Sequence, residues 1–438
     1  MLNKGRQKYI NAKIPEGWEV VNFKDIFKSI KSGISRRFVH EDVGYPVIRS
    51  ANISNTQLDL DELKYWYLVD PQGTELKSLI LDKGDILVNF INSLAQIGKC
   101  CIFNADDREY IYTTNIFRIK PDRDKIDNKY FYYYSQTKQY EEDIQNIVKP
   151  AVNQASFTKG DFEQLTIPLP SLEEQQRIAT ILSAVDKVIR KTEAIIEQTK
   201  EVKKGLMQHL LTKGIGHTKF KKTEIGDIPI DWGVHELGEV TNITRLAGAE
   251  YSDLWETRQD GEIISLRGFN IGYNELVRLE EVERISESLS ERLIRSKLFE
   301  GDVVFPCVGT IGKATVIREN NKYHINQNIA KITGNEKLEP DYIAYFLMSD
   351  ITLKQIIKYN TSSSQPNVLV GNLRKFIISV PPLKEQKRIV DIFLNMDKKI
   401  NNEKQKLEQL KQVKTGLMQS LLTGKVRIKV DEDEVTQV

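Results

Sequence analysis

The chain contains one stretch twice: PLPSLEEQQRIATIL at residues 168–182 and PPLKEQKRIVDIF at residues 381–393. The likeness extends beyond these stretches. Residues 165–212 and 376–423 align without a gap, and 23 of the 48 aligned positions are identical. Both copies also end alike, in GLMQHLLT and GLMQSLLT. Repetition at a fixed interval is the signature of a duplicated structural unit. The chain is therefore predicted to contain two copies of one element.

The repeated segments have the pattern of long helices. Apolar residues recur at steps of four and three over about five heptads, which is typical of a coiled-coil seam. The seam consists of Ile178, Leu182, Val185, Ile189, Ile196, Leu206 and Leu210 in the first copy, and of Ile389, Phe393, Met396, Ile400, Leu407, Leu410, Leu417 and Leu421 in the second. Thr192, Thr199 and Lys203 interrupt the first seam, which predicts weaker packing there or a bridging partner.

The ends of the two helices are marked by residues suited to starting and stopping a helix. Ser171 followed by Glu174 predicts a capping box, and Pro382 suits a first helical turn. Gly214 and Gly424 are placed to end the helices. We expect the two helices to pair antiparallel, because the second then begins where the first ends and little connecting chain is needed.

The segments before the helices also correspond, although more faintly. IPEGWEV (14–20) matches IPIDWGV (228–234), and a Gly-Asp pair followed by Ile-Gly-Lys occurs in both halves. Leu81–Val88 predicts a turn and a buried strand, whereas Tyr130–Tyr134 and Tyr342–Leu347 predict short helices. Each half is thus expected to be a mixed α/β (α+β) domain with many short strands.

These patterns divide the chain into five segments. We predict a first globular domain at 1–169, a first long helix at 170–213, a second domain at 214–380, a second helix at 381–424 and a tail at 425–438. The predicted fold class is two similar mixed α/β domains joined by two long antiparallel coiled-coil helices, with a pseudo-two-fold internal repeat.

Composition narrows the class of protein. The chain is 40% hydrophobic and 28% charged, with a net charge of +2 and three cysteines that lack metal-type spacing. A membrane helix needs about 18 uninterrupted apolar residues, and the sequence contains no such run. The basic N-terminus has no apolar stretch behind it, so a signal peptide is not expected. A cytoplasmic location is the expectation.

The order of these motifs resembles a known family. A variable domain that contains Gly-Asp and then Ile-Gly-Lys, and that ends in PLPSLEEQQRIATIL or PPLKEQKRIVDIF, is similar to the repeats of specificity subunits of Type I restriction-modification systems. The resemblance covers essentially the whole chain, twice and in the same order. It implies two target recognition domains that read the two parts of a split, asymmetric site in double-stranded DNA.

The resemblance also implies partners. Such a subunit joins two methyltransferase subunits, which use S-adenosylmethionine to methylate adenine, and motor-nuclease (restriction) subunits complete the complex. The helices would bind the methyltransferase subunits and set the spacing between the half-sites. The cofactor would lie in the partner, with none bound by this chain.

Catalytic motifs are missing from the sequence. It has neither a glycine-rich turn after a strand nor an Asn/Asp-Pro-Pro-aromatic motif, as an amino-methylating enzyme should. The segment Val308–Lys313 lacks the first glycine of a phosphate loop, since Cys307 stands there. The five histidines form no metal-ligand pair. The chain is therefore predicted to be a non-catalytic subunit with no metal site.

The duplication also sorts candidate DNA contacts. Residues shared by both halves cannot distinguish two half-sites, so they should serve folding or phosphate contact, whereas base readers should lie where the halves diverge. The shared cations are Arg49, Arg267, Lys99 and Lys313. The divergent candidates are Arg36 and Arg37 for guanine, and Asn89, Asn92, Asn153, Gln154, Asn326, Gln327, Gln365 and Asn367 for adenine.

A second class of protein fits the same organisation. A coiled-coil adaptor whose two domains bind proteins or sugars would show the same repeat, and a net charge near zero suits it. The dependence of DNA affinity on salt distinguishes the two classes, because phosphate contacts make affinity fall steeply as salt rises.

Overall fold

The duplication seen in the sequence is a duplication of structure. In the computed structural model, which describes residues 14–54, 57–151, 154–360 and 366–428, the chain forms two compact units. The first comprises residues 1–192 and 406–438, and the second comprises residues 193–405. Each unit therefore contains one globular domain and a part of both long helices.

The first unit holds fourteen of the described strands. These are β1 (Glu19–Asn22), β2 (Phe27–Ser32), β3 (Gly44–Ile48), β4 (Ile53–Ser54), β5 (Gln57–Leu58), β6 (Lys64–Tyr67), β7 (Ile86–Asn89), β8 (Ile91–Asn92), β9 (Cys100–Ile102), β10 (Ile111–Tyr112), β11 (Ile116–Pro121), β12 (Lys149–Ala151), β13 (Gln154–Ser156) and β14 (Thr166–Leu169). Its helices are α1 (Phe23–Ile26), α2 (Asn128–Tyr134), α3 (Lys138–Ile147) and α4 (Lys159–Glu163).

The second unit repeats this order in part and begins with an additional hairpin, β15-β16. Its described strands are β15 (Phe220–Thr223), β16 (Gly226–Pro229), β17 (Gly233–Glu236), β18 (Thr241–Thr244), β19 (Ile263–Leu266), β20 (Glu283–Ile285), β21 (Val303–Pro306), β22 (Thr315–Val316), β23 (Tyr323–Ile325), β24 (Ile329–Gly334) and β25 (Ile377–Val380). Its helices are α6 (Leu237–Val240), α7 (Gly248–Leu254), α8 (Glu287–Arg292), α9 (Pro340–Leu347), α10 (Asp350–Tyr359) and α11 (Val370–Leu373). The long helices are α5 (Leu172–Lys213) and α12 (Leu383–Leu421). None of the described helices is long and apolar enough to cross a membrane.

Corresponding sheets have the same topology in the two units. The four-stranded order β2-β11-β7-β9 is matched by β18-β24-β21-β22. The three-stranded order β10-β3-β6 is matched by β23-β19-β20, and each contains one parallel pair. β1 and β14 pair as β17 and β25 do. The predicted mixed α/β fold class with an internal repeat is confirmed.

The central strand of each four-stranded sheet is buried on both faces. Along β7, Ile86 and Val88 belong to the core that surrounds α2, whereas Leu87 belongs to a second core under β3 and β10. Along β21, Val304 likewise points to a different core from its neighbours. This explains why the sequence there is continuously apolar and not alternating. The predicted buried strand at Leu81–Val88 is confirmed, as are the short helices at α2 and α9.

The long helices run antiparallel within each unit. In the first, Lys414 of α12 contacts Asp186 of α5 at 2.8 Å. In the second, Lys203 of α5 contacts Asp397 of α12 at 2.5 Å. Where polar residues interrupt the first seam, Thr192 is 1% exposed and the ammonium of Lys203 pairs with the carboxylate of Asp397. Weaker packing or a bridging partner at these positions stays a prediction.

A buried glutamine fixes the start of each long helix. In the first unit, Gln175 Oε1 accepts the backbone amide of Asp127 at 2.9 Å, and its Nε2 donates to two carbonyl oxygens at 3.0 Å. Gln386 makes the same three bonds at 2.8–2.9 Å in the second unit. Both side chains are fully buried. The Glu-Gln of the repeated motif thus ties each helix to the loop before α2 or α9.

The predicted capping box is only half formed. The Ser171 hydroxyl accepts the amide of Glu174 at 3.3 Å, but the Glu174 carboxylate binds the indole of Trp18 at 3.2 Å and Arg427 at 2.9 Å. Glu385 does the same with a tryptophan and a histidine of the second unit. Tertiary contacts therefore replace the local bond that the sequence predicts. The second helix likewise begins at Leu383, one residue after the proline expected in its first turn.

Both helix ends follow the prediction. Gly214 has a φ of +65° and Gly424 a φ of +70°, the left-handed conformation that closes a helix.

Candidate nucleic-acid interface

The Gly-Asp pair found in both domains builds a turn and an ion pair. Asp85 accepts the backbone amide three residues earlier at 2.9 Å and the Nε of Arg118 at 2.7 Å. Asp302 accepts the equivalent amide at 2.8 Å and lies 3.2 Å from the ammonium of Lys331. All four side chains are nearly buried. This motif therefore serves folding, as expected of residues shared by both halves.

A second shared element is an arginine followed three residues later by asparagine. The Oδ1 of Asn52 accepts the amide of Arg49 at 3.0 Å, and Asn270 accepts that of Arg267 at 3.0 Å. Each Nδ2 then donates to the carbonyl oxygen seven residues onward, at 3.1 and 3.2 Å. The asparagines are buried and replace backbone groups in a tight turn. Their identical spacing was visible in the sequence, but we did not single them out.

The arginines of this element differ in their side-chain contacts. Arg49 is half-buried and donates to the carbonyl oxygen of Glu62 at 3.2 Å. Arg267 is exposed and pairs with Glu283. A solvated ion pair of this kind contributes little to stability, so Arg267 can exchange its partner for a phosphate at low cost.

The shared lysines follow glycines in the left-handed conformation. Lys99 and Lys313 are both half-buried and come after glycines with φ of +78° and +91°. The ammonium of Lys313 lies 5.4 Å from the ring centroid of Tyr273, which is 62% exposed. Exposed aromatic rings beside cations are common on surfaces that bind single-stranded nucleic acid, where unpaired bases stack on the ring. Sequence reasoning missed Tyr273, because its segment has no motif of its own.

The adjacent arginines 36 and 37 have different surroundings. The Arg36 guanidinium binds Asp70 at 2.7 Å and Thr74 at 2.7 Å, and it holds the pKa of the Asp70 carboxyl well below its usual range. Asp70 also accepts the indole N–H of Trp66 at 3.3 Å. Arg37 is exposed and forms no side-chain hydrogen bond or ion pair with the described residues. Of the two, Arg37 is the one whose guanidinium is available to a ligand.

The predicted amide readers are dispersed. Asn89 is fully buried, and neither its Oδ1 nor its Nδ2 has a partner among the described residues, so it cannot reach a surface ligand as folded. Gln154 is exposed on β13, whereas Asn153 and Gln365 lie outside the described residues. The half-buried candidates are Asn92, Asn326, Gln327 and Asn367.

Two of the half-buried amides cap their own loops. Asn92 Oδ1 accepts the next backbone amide at 2.8 Å, and Asn326 Oδ1 does so at 2.6 Å. Asn92 and Asn367 nevertheless lie on equivalent pairs of segments: Ile91, the neighbour of Asn92 on β8, pairs with Ser156 of β13, just as Val308 pairs with Asn367. Each domain thus carries one candidate at its own copy of this edge.

Comparison with known proteins agrees with a chain that contains two copies of one domain. A family model described as "Type I restriction modification DNA specificity domain" matches residues 15–201 and 229–412. The chain is 31% identical over 425 residues to the putative type I restriction enzyme MjaX specificity subunit of Methanocaldococcus jannaschii, covering 95% of this chain and 96% of that protein. It is 21% identical over 435 residues to the EcoKI specificity subunit of Escherichia coli K12, covering 92% and 88%.

Solved structures show the same fold. The S subunit of a Type I restriction-modification system from M. genitalium matches with a TM-score of 0.55 and 14% identity, over 96% of this chain and 98% of that one. A chain from another type I system matches with a TM-score of 0.55 and 16% identity, over 94% and 100%. With two matched domains in one chain and a relative that covers nearly its full length, this protein belongs to the specificity subunits of Type I restriction-modification systems.

Proposed function

We propose that this chain reads a split, asymmetric DNA target in the cytoplasm and assembles methyltransferase and restriction subunits on it. The observation that carries the proposal is that the two domains share their internal polar contacts but differ in their exposed side chains. The Gly-Asp turn, the Arg-x-x-Asn turn and the glutamine anchor recur in both domains, whereas the exposed side chains differ. Two such domains suit a target in which each part is read by a different surface.

The chain is proposed to recognise DNA without modifying it. The polar groups that both domains share have structural partners, since Asp85 and Asp302 pair with cations and Gln175 and Gln386 hold the long helices. S-adenosylmethionine would be bound by the partner methyltransferase, which supplies the methyl group for adenine.

The long helices offer matching surfaces for two copies of one partner. Val202 and Val413 occupy equivalent positions of the repeat and are 56% and 52% exposed. Because the two helices repeat one sequence, a surface present on one helix recurs on the other. Because the two surfaces are alike, we propose that each binds one methyltransferase subunit, with restriction subunits joining the assembled complex.

The test is to express this chain with a candidate methyltransferase subunit and to sequence host DNA for methyladenine. We expect a split, asymmetric methylated motif that appears only when the chain is present. A stable purified complex that adds no methylation and binds DNA without salt dependence would instead favour a protein-binding adaptor.

A further inference from the structure

A cleft in the second unit is lined by three arginines and no carboxylate. It has a volume of about 740 Å³ and lies along the end of β18, where Asn242 and Thr244 form one wall. The arginines are Arg245, Arg295 and Arg374. The remaining lining residues are Ile243, Ala247, Gly248, Leu369, Val370, Gly371 and Asn372. A concentration of one charge sign in a concave surface attracts ions of the opposite sign.

The three guanidinium groups are exposed and lack counter-charges. Arg374 donates to the carbonyl oxygen of Ile243 at 2.7 Å, which holds it against the strand. Within the described part of the chain, the side chains of Arg245 and Arg295 form no hydrogen bond. None of the three arginines forms an ion pair there. Arg36 by contrast is neutralised by a buried aspartate. Three cations are therefore left for an external anion.

The cleft adjoins the segment that carries a predicted base reader. The carbonyl oxygen of Cys307 accepts the amide of Val368 at 2.9 Å, directly after Asn367. Leu369 and Val370, the next residues, line the cleft. An anion bound here would thus lie beside the amide-bearing edge of the domain.

The first unit carries a basic groove at the corresponding strand. β2 pairs with β11 in the same register as β18 with β24, so that Ile30 opposite Ile119 corresponds to Ile243 opposite Ile332. A groove of about 440 Å³ beside β2 is lined by Ser29, Lys31, Lys77, Ser78, Ile80, Asp82, Arg118 and Lys120. Lys31 and Lys77 are exposed and form no ion pair with the described residues.

Both domains therefore have uncompensated positive charge at the same place in the fold, supplied by different residues. A base contact would require a particular side chain, because each base edge has its own donors and acceptors. A phosphate requires only positive charge and N–H donors, and arginine forks suit it well. The two domains keep the positive charge at this place but not the residues that supply it. This pattern therefore favours the DNA backbone as the ligand.

We propose that Arg245, Arg295 and Arg374 bind a backbone phosphate of duplex DNA and so position the second recognition domain on its half-site. The proposal rests on the proposed function and names a contact surface within it. The contact carries no sequence information itself; it fixes the register in which neighbouring residues meet the bases.

The experiment uses the purified complex of the full chain with its methyltransferase subunits. Arg245→Gln with Arg295→Gln removes two cations whose side chains have no hydrogen bond to lose in the described structure. The matched control, Arg258→Gln with Lys354→Gln, removes two exposed cations of the same unit that do not line the cleft. Affinity for target and non-target duplexes is measured from low to moderate salt, together with the melting temperature.

Each phosphate contact contributes about 0.9 to the slope of log affinity against log salt concentration. We expect the cleft variant to reduce that slope by up to about 0.9, the contribution of the one phosphate that the arginines bind. Its affinity should fall by the same factor for target and non-target DNA, its methylated motif should stay unchanged, and the control should behave as the wild type.

Other results would overturn the proposal. An unaltered slope at wild-type affinity would exclude a phosphate contact, and a changed methylated motif would make the cleft a base reader. Loss of the methyltransferase subunits with DNA binding otherwise intact would make it a protein contact. If the wild-type complex itself bound DNA without salt dependence, the proposed function would fail together with this inference.

Discussion

The buried glutamine at the start of each long helix provides a sharp test of the fold. Gln175→Met keeps nearly the same side-chain volume and removes only the polar end group. It leaves one backbone amide and two carbonyl oxygens without their partner, because Gln175 is fully buried and bonded to all three. The next residue, Gln176, is exposed and its side chain forms no hydrogen bond with the described residues, so Gln176→Met is a matched control.

The expected cost follows from the number of groups left unpaired. Each buried backbone group that loses its partner costs about 1–3 kcal/mol, so the lower value for each of the three groups gives a total of about 3 kcal/mol. For a unit of roughly 200 residues, 1 kcal/mol corresponds to about 2–4 °C in melting temperature. Gln175→Met should therefore lower the melting temperature of the first unit by about 6–12 °C.

Calorimetry of the full chain measures this shift, and hydrogen exchange shows where it arises. The amide of Asp127, which Gln175 accepts at 2.9 Å, should exchange faster in Gln175→Met and at the wild-type rate in Gln176→Met. The reasoning is refuted if both variants melt within about 1 °C of the wild type, or if exchange at Asp127 is unchanged.

Three further outcomes are expected. Arg37→Ala should weaken binding to one half-site by about tenfold, in line with about 1–3 kcal/mol for a bidentate contact, and should leave assembly with the methyltransferase intact. Unchanged affinity in a filter-binding assay would show that Arg37 lies outside the interface. Asp70→Asn should lower the melting temperature at neutral pH, where Arg36 pairs with the carboxylate. The pKa of Asp70 is depressed from 3.8, so this difference should be present above pH 3.8 and shrink as the pH falls below it, and a pH-independent difference would contradict the pairing. Gly98→Ala should destabilise the protein more than Gly312→Ala. The left-handed backbone costs both variants about 1–2 kcal/mol, but only at Gly98 would the added Cβ lie 2.7 Å from an isoleucine side chain of α3. Equal losses of stability on urea denaturation would refute this difference.

The elements of regular pattern could be predicted from the sequence. The two helices, the left-handed glycines that follow them at positions 214 and 424, and the buried strand that ends at Asn89 follow from periodicity and from turn chemistry. The pairing of the short strands could not be predicted, because β10 joins β3 across many residues of variable sequence. Non-local pairing depends on packing that no local pattern encodes.

The contacts of individual polar residues were harder to predict. Glu174 has the spacing of a capping box, yet its carboxylate binds Trp18 and Arg427, which are remote in sequence. Arg36 and Arg37 are indistinguishable in the sequence, and only the fold shows that Asp70 neutralises the first. Asp85 and Asp302, which both halves share, serve folding, one of the two roles that the duplication left open for shared residues.

The pairing direction of the long helices follows from the duplication itself. In each copy of the repeat an aspartate precedes a lysine by the same interval: Asp186 and Lys203 in α5, and Asp397 and Lys414 in α12. Aligned in parallel and in register, the copies would place aspartate against aspartate and lysine against lysine, which is unfavourable in a partly buried interface. Antiparallel pairing instead puts each aspartate against a lysine, at 2.8 and 2.5 Å. The duplication repeats the same aspartate and lysine in both helices. One charge pattern therefore favours the antiparallel arrangement in both units.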